Sequence, residues 1–307
     1  MTATAPLPPQ VHVFVRDWLS ANNILLKSRD GHVLVDSGYI RHAPLTLALL
    51  ESSAGLAGAQ LARLVNTHGH SDHIGGNAAI KARYACPIAV PEGEVEAFRT
   101  WDEKALLLGY CGQRAERFDV DEVIQPGSVH VWGDLEWRAL SAPGHDMGAL
   151  VFHSAEHRLL ISGDALWENG YGLLMPPEVD ARALPAARAT LEMIAALDVD
   201  TVIPGHGEPF SDVDAALERA FQRTASFEAD SVRVARHALK ALLAFNLLDR
   251  QRMALDEVIE FVGRVPVFQE FNALYFQRDP SDLAQMLVRE LERAGAARVE
   301  AGALLPR

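Results

Sequence analysis

The stretch "NTHGHSDHIGG", Asn66 to Gly76, places His68, His70, Asp72 and His73 within six positions. It follows directly on the apolar run "LARLV", residues 61–65. A short apolar run of this kind reads as a buried strand, so the cluster lies where a strand end opens into a loop. Such a concentration of imidazole and carboxylate is either a polar surface turn or one half of a metal site. Half a site needs a second half, and the rest of the chain decides between the two readings.

Three later β-like runs end in the same way. "SAPGHDMG" puts His145 after a strand, "LLISGDALW" puts Asp164 after another, and "TVIPGHGEP" puts His206 after a third. A glycine precedes the polar residue each time, which permits a tight turn close to a ligand. Rigid sheets that present loops in this manner are where chemistry concentrates. The total is five imidazoles and two carboxylates, with Asp72 and Asp164 as the acids. Seven such groups exceed the needs of one tetrahedral zinc and suit a pair of cations.

These elements, "HGHSDH" at 68–73, "GH" at 144–145, "GD" at 163–164 and "GH" at 205–206, occur in the order found in the metallo-β-lactamase superfamily, which the chain resembles over roughly residues 10–210. The early "VLVDSG", ending at Gly38, also resembles that family's first strand and turn. The resemblance implies an α/β fold, the αβ/βα four-layer sandwich, with metals at one edge. It implies that His68, His70 and His145 hold one metal, that Asp72, His73 and His206 hold a second, and that Asp164 bridges them. Two divalent ions are expected, zinc first, with iron and manganese as alternatives. A water shared by two cations has its pKa brought from about 15.7 to near neutrality. The expected chemistry is therefore a metal-bridging hydroxide attacking the carbonyl of a small ester, thioester or lactone. Asp72 is the candidate proton carrier, and Tyr171, in "ENGYG", is a candidate donor to the oxyanion. Glyoxalase II-like and lactonase-like relatives share the ligand set, but the basic glutathione-binding motif of the former has no clear counterpart here. The alternatives are an iron-dependent oxidoreductase working on oxygen or persulfide, and a phosphodiesterase or nucleic-acid-binding relative.

Composition narrows the field further. The 307 residues are 49% hydrophobic and 22% charged, an ordinary globular mixture. The net charge of -13 repels phosphate backbones, which disfavours a nucleic acid partner. No apolar run approaches the roughly 20 residues of a membrane span. Cys86 and Cys111 form no CxxC pattern, so a reducing, cytoplasmic setting is the expectation. The expected partner is a small-molecule substrate.

Three segments are expected along the chain: a disordered lead-in over 1–10, a catalytic part over 11–212, and a mainly helical region over 213–307. That last region, helical or winged-helix-like, is expected to pack on the catalytic part and is a candidate dimer surface. "EGEVEAFRTWDEKALLLGY", residues 92–110, reads as one long helical stretch. His12, His32, His42, His130, His153, His157 and His237 read as ordinary core or surface residues, Asp36 as a turn residue, and Cys86 as an apolar filler. Trp167, Met175 and Phe210 are candidate pocket walls. Phe268, Phe271, Tyr275 and Phe276 read mainly as core.

Overall fold

Alternation of side chains along short strands builds two sheets whose inner faces pack together. The structure, a computed structural model, describes residues 7–307. The first sheet has six strands: β1 (Val11–Phe14), β2 (Asn23–Leu26), β3 (His32–Val35), β4 (Leu61–Val65), β5 (Ile88–Pro91) and β6 (Glu122–Ile124), side by side in that order. β1 to β3 are antiparallel, and β3 to β6 run parallel. The second sheet has β7 (Val129–Trp132), β8 (Leu135–Ser141), β9 (Leu150–Ser154), β10 (Leu159–Gly163) and β11 (Thr201–Pro204), with β10 and β11 parallel and the rest antiparallel.

Neighbouring residues of one strand face opposite sides, as a period of two requires. Ile24, Leu26, Val33 and Val35 point between the sheets, where they meet Trp137, Phe152 and Ile161. Leu25 and Leu34 point the other way, toward α1 (Ala43–Glu51), α3 (Asn77–Tyr84) and α4 (Val95–Thr100), with Leu50, Ile80 and Phe98 as partners. On the second sheet, Leu160 and Val202 pack outward against α5 (Ala183–Ala195) and α6 (Val213–Glu228), through Leu191 and Leu217. Each such side chain, fully buried, stabilises the fold by about 1.5–3 kcal/mol. The result is the four-layer helix–sheet–sheet–helix sandwich expected from the sequence. A four-residue helix, α2 (Ser71–Ile74), lies beyond the end of β4.

The remaining elements are α7 (Ser231–Arg250), β12 (Met253–Ala254), α8 (Leu255–Arg264), α9 (Pro266–Phe271), α10 (Pro280–Arg293), β13 (Ala297–Glu300) and β14 (Ala303–Pro306). The three strands form a small antiparallel sheet in the order β12–β14–β13. A strand, helices and a closing hairpin make a winged-helix-like arrangement around a core that includes Leu243, Phe261, Phe268, Phe271 and Leu287. Leu107, Tyr110 and Leu173 of the sandwich pack against that core. Asn246 of α7 donates to Cys111 O at 3.2 Å, and Tyr39 donates to Asp249 at 3.1 Å.

Two local expectations change. The stretch 92–110 is not one helix: α4 stops at Thr100, Trp101 takes a left-handed φ of +57°, and Asp102 accepts from Lys104 N and Ala105 N. An aspartate that satisfies the next backbone N–H groups itself favours a turn over helix continuation. Of the lead-in over 1–10, residues 1–6 lie outside the described residues. Leu7 packs against the core between the sheets, and Pro8 O accepts from Val11 N at 2.9 Å.

Candidate metal centre

The site is assembled at the carboxyl ends of parallel strands, where open α/β sheets bind their ligands. β3 leads to Asp36, β4 to the 66–73 loop, β10 to Asp164 and β11 to His206. Gly205 cannot be replaced there, because a Cβ on it would collide with Asp164 Oδ1 and crowd His73. A Cβ on Gly172 would likewise collide with the ring of His145.

All seven ligand candidates converge. Nitrogens of His68, His70 and His145 lie within 4.8 Å of one another, as do ligand atoms of Asp72, His73, Asp164 and His206. Asp164 stands between the two groups. Its Oδ2 is 3.4 Å from His145 Nε2 and its Oδ1 is 3.3 Å from His73 Nε2. Asp72 Oδ2 is 3.0 Å from His206 Nε2. The ring nitrogens His70 Nδ1 and His145 Nε2 face each other at 2.7 Å.

This donor set fits cations. Nε2 of His68, His70 and His73 and Nδ1 of His206 are buried without a hydrogen-bond partner, and buried polar atoms of that kind are rare without an ion or water to satisfy them. Burial holds His68 well below the usual histidine range and brings His70 and His145 down to about 4. The three imidazoles are therefore neutral at pH 7, the form that binds metal. At His73, burial is outweighed by Asp36, Asp164 and Asp72, which raise its pKa. Three carboxylates around one imidazole are a concentration of negative charge that a cation would balance.

Groups behind the ligands fix their orientation. His73 Nδ1 donates to Asp36 Oδ2 at 2.7 Å, and Thr67 N and Oγ1 donate to the same carboxylate at 2.9 and 2.8 Å. His145 Nδ1 donates to Leu173 O at 2.6 Å. Such partners set the tautomer and direction of a ligating imidazole. The sequence reading assigned Asp36 a turn only. Its left-handed φ of +59° does make a turn, and that turn aims the carboxylate at His73.

The role expected of Tyr171 is corrected. Its ring lines the cavity beside the centre, but its hydroxyl lies 2.9 Å from Thr224 Oγ1, which in turn donates to Ala220 O at 2.9 Å. A phenol committed to α6 is a wall and not a donor to an oxyanion. Trp167 does line the cavity and donates Nε1 to Asp164 Oδ1 at 3.1 Å. Met175 lines a neighbouring cavity, and Phe210 is buried in the outer core beyond the second sheet. Trp18, which sequence reasoning passed over, stacks on His206 with ring centroids 5.4 Å apart and planes 7° apart, and is 58% exposed. Nothing in "RDWLS" marks it, since its place depends on the loop between β1 and β2 crossing β11.

Two cavities meet the centre. One, of about 310 Å³, is lined by Trp167, Leu173, Ala241, Leu242, Phe245 and Leu248 and reaches His70, Asp72, His145, Asp164 and His206. The other, of about 600 Å³, also touches His70 and His145, and its wall mixes apolar residues such as Leu106 and Met147 with charged ones, Glu94, Lys104, Asp146 and Arg182.

Comparison with known proteins agrees with this geometry. Residues 16–206 match the Metallo-beta-lactamase superfamily. The chain belongs to that superfamily. It is 28% identical over 205 residues to the acyl-coenzyme A thioesterase MBLAC2 of Gallus gallus, which covers 62% of this chain and 73% of the relative. It is 29% identical over 123 residues to the hydroxyacylglutathione hydrolase of Rhodospirillum rubrum, over 40% of this chain and 41% of that one. A metallo-beta-lactamase family protein from Thermus thermophilus superposes with a TM-score of 0.59 at 20% identity, over 98% of this chain and all (100%) of the other. As a member of the superfamily the chain is a hydrolase with a histidine–aspartate metal-binding cluster, and no helix among the described residues is long and apolar enough to cross a membrane.

Proposed function

We propose that this superfamily member hydrolyses thioesters of small acyl groups at a two-metal centre. The observation that carries the reading is the position of the centre between an apolar cavity and a second one whose wall carries charged groups, both in contact with His70 and His145. A thioester has the same two-sided character, with an acyl group on one side of the carbonyl and a polar thiol carrier on the other. The names of the curated relatives, an acyl-coenzyme A thioesterase and a hydroxyacylglutathione hydrolase, support the same substrate class.

His68, His70 and His145 would hold one ion, Asp72, His73 and His206 the other, and Asp164 would serve both. Two bound cations would supply acidified water and a polarised carbonyl. The chain's own part is to place the substrate and to manage the proton. Trp18 and Trp167 flank His206 and shield it from bulk water. Asp72 lines the apolar cavity; burial tends to raise its pKa, but His73 and His206 outweigh that and lower it, so it is ionised at neutral pH and would hold a proton only in passing. In the balanced reaction water adds to the carbonyl carbon, the C–S bond breaks, and an acid and a thiol result. A thiol ionises near pH 8.5, so its thiolate departs with less help than an alkoxide would need.

The test is a substrate panel of thioesters, lactones and phosphodiesters on protein of measured metal content, with His68→Ala and Asp164→Ala beside it. Thioesters should be turned over best, and each variant should lose about a thousandfold or more, as loss of a principal electrostatic stabiliser does. Faster turnover of phosphodiesters, or variants that keep full activity, would refute the reading.

A further inference from the structure

Helices α6 and α7 bring an arginine and a histidine to the wall of the apolar cavity and place no acid beside either. Arg223, on α6, lines the cavity. It donates Nη1 to Tyr171 O at 3.1 Å and Nη2 to Asn169 O at 2.9 Å, with its guanidinium 5.6 Å from the centre of the Tyr171 ring. Both acceptors are neutral carbonyls, so N–H groups remain over from the five a guanidinium carries. Glu228, five residues on, is taken by Arg188 in a two-pronged pair at 2.6 Å. His237, on α7, lines the same cavity, and burial together with Arg223 and Lys240 brings it down to about 4, with no carboxylate opposing. Lys240 itself is answered by Glu290 at 4.0 Å.

Several arginines of the chain are paired with carboxylates, Arg63, Arg83, Arg158, Arg182 and Arg188 among them, whereas Arg223, at the wall of the cavity, meets only backbone carbonyls and the Tyr171 ring. A desolvated guanidinium is costly unless something negative meets it. Leu173, Ala241, Leu242 and Phe245 offer only hydrocarbon, and the other polar wall residues away from the metal ligands, Gln113 and Asn169, carry no charge. An anion carried by the occupant of the cavity would meet the N–H groups that Arg223 has left over.

We propose that Arg223, backed by His237, receives a carboxylate carried on the substrate's acyl group, so that the favoured substrates are thioesters of dicarboxylic acids. This rests on the thioesterase reading above, in which the scissile carbonyl lies at the metal ligands that line the same cavity. A planar carboxylate matches the fork of a guanidinium. A site that presents such donors rejects an analogue lacking the acceptor, because its own polar groups are then left unpaired.

The experiment uses the metal-loaded enzyme and two N-acetylcysteamine thioesters of equal chain length, one of hexanoic acid and one of adipic acid with its second carboxyl free. A charged hydrogen bond corresponds to about a 10- to 100-fold preference, so adipoyl should exceed hexanoyl by at least about tenfold in kcat/KM. Arg223→Gln should collapse that ratio to near one, mainly through KM, and Arg223→Lys should keep part of it. Equal turnover of the two substrates by the unaltered enzyme, or a ratio unchanged in Arg223→Gln, would overturn the proposal. If Arg223→Gln does not fold, His237→Gln and the ratio in the unaltered enzyme decide. Calorimetric titration with free adipate and free hexanoate reads the subsite without turnover: adipate should bind about tenfold tighter, and equal affinities would overturn the subsite. A preference for adipate in an enzyme inert to both thioesters would instead refute the thioesterase reading and leave the subsite standing.

Discussion

At the scale of single residues, Asp36 shows how an ordinary turn position directs a metal ligand. Its carboxylate accepts from His73 Nδ1, Thr67 N and Thr67 Oγ1, and its own φ is +59°. Aspartate and asparagine tolerate that left-handed conformation, whereas most other residues do not. Asp36→Asn therefore preserves the backbone and removes only the charge behind His73. Loss of such a partner costs roughly 10- to 100-fold in metal affinity, so the variant should surrender its metal to a competing chelator at correspondingly lower chelator concentration. Equal retention in the two proteins would show that Asp36 serves the turn alone. The seven ligand positions were legible in the sequence because they lie in four short motifs, each of which comes soon after a strand. Asp36 also follows a strand, β3, but only the fold brings His73, 37 positions later, to meet it.

At the scale of elements, the same contrast separates strands from helices. β2, β3 and β10 are short runs buried at nearly every position, so strands covered on both sides could be anticipated. Helices α6 and α7 were legible as helical, but an amphipathic pattern shows only which residues are buried, not what they are buried against. His237 consequently read as an ordinary histidine and Arg223 drew no reading, although the two helices share a cavity wall with the metal centre. The break after Thr100 was missed for a related reason: composition favoured a helix, and the turn at Trp101 and Asp102 won locally. His237 also carries a prediction about α7. A histidine held neutral when folded, near 4, and titrating near 6.5 when unfolded lets the unfolded chain bind the extra proton between those values. Its contribution is therefore intact above about pH 6.5 and is lost as pH falls through 4. Relative to the unaltered protein, His237→Phe should gain stability on going from pH 7 to pH 4.5, by up to roughly 3 kcal/mol as an upper bound from the shift in pKa. Denaturant unfolding of both metal-loaded proteins at the two pH values measures it, and a pH-independent difference would contradict it.

At the scale of the whole molecule, the centre links parts of the chain far apart in sequence. Its ligands run from His68 to His206, come from both sheets, and lie under a cavity wall supplied by α7. In a chain of net charge -13, the carboxylates of Asp36, Asp72 and Asp164 around His73 add local repulsion to a fold that already carries excess negative charge. Cations bound there favour only the folded state, because the unfolded chain disperses the ligands. Stabilisation by binding follows the ratio of free ligand to dissociation constant and amounts to about 2.7 kcal/mol at a hundredfold excess. For a domain of 150–250 residues that corresponds to roughly 5–10 °C in Tm. Removal of metal by a chelator should lower Tm by about that amount, and returning zinc should restore it. Asp164→Asn, which weakens both groups of ligands at once, should melt at nearly the same temperature with and without chelator. If chelation leaves the melting of the unaltered protein unchanged, the histidine–aspartate cluster is not tied to the stability of the sandwich, and the charge concentrated around His73 must be relieved by protonation instead.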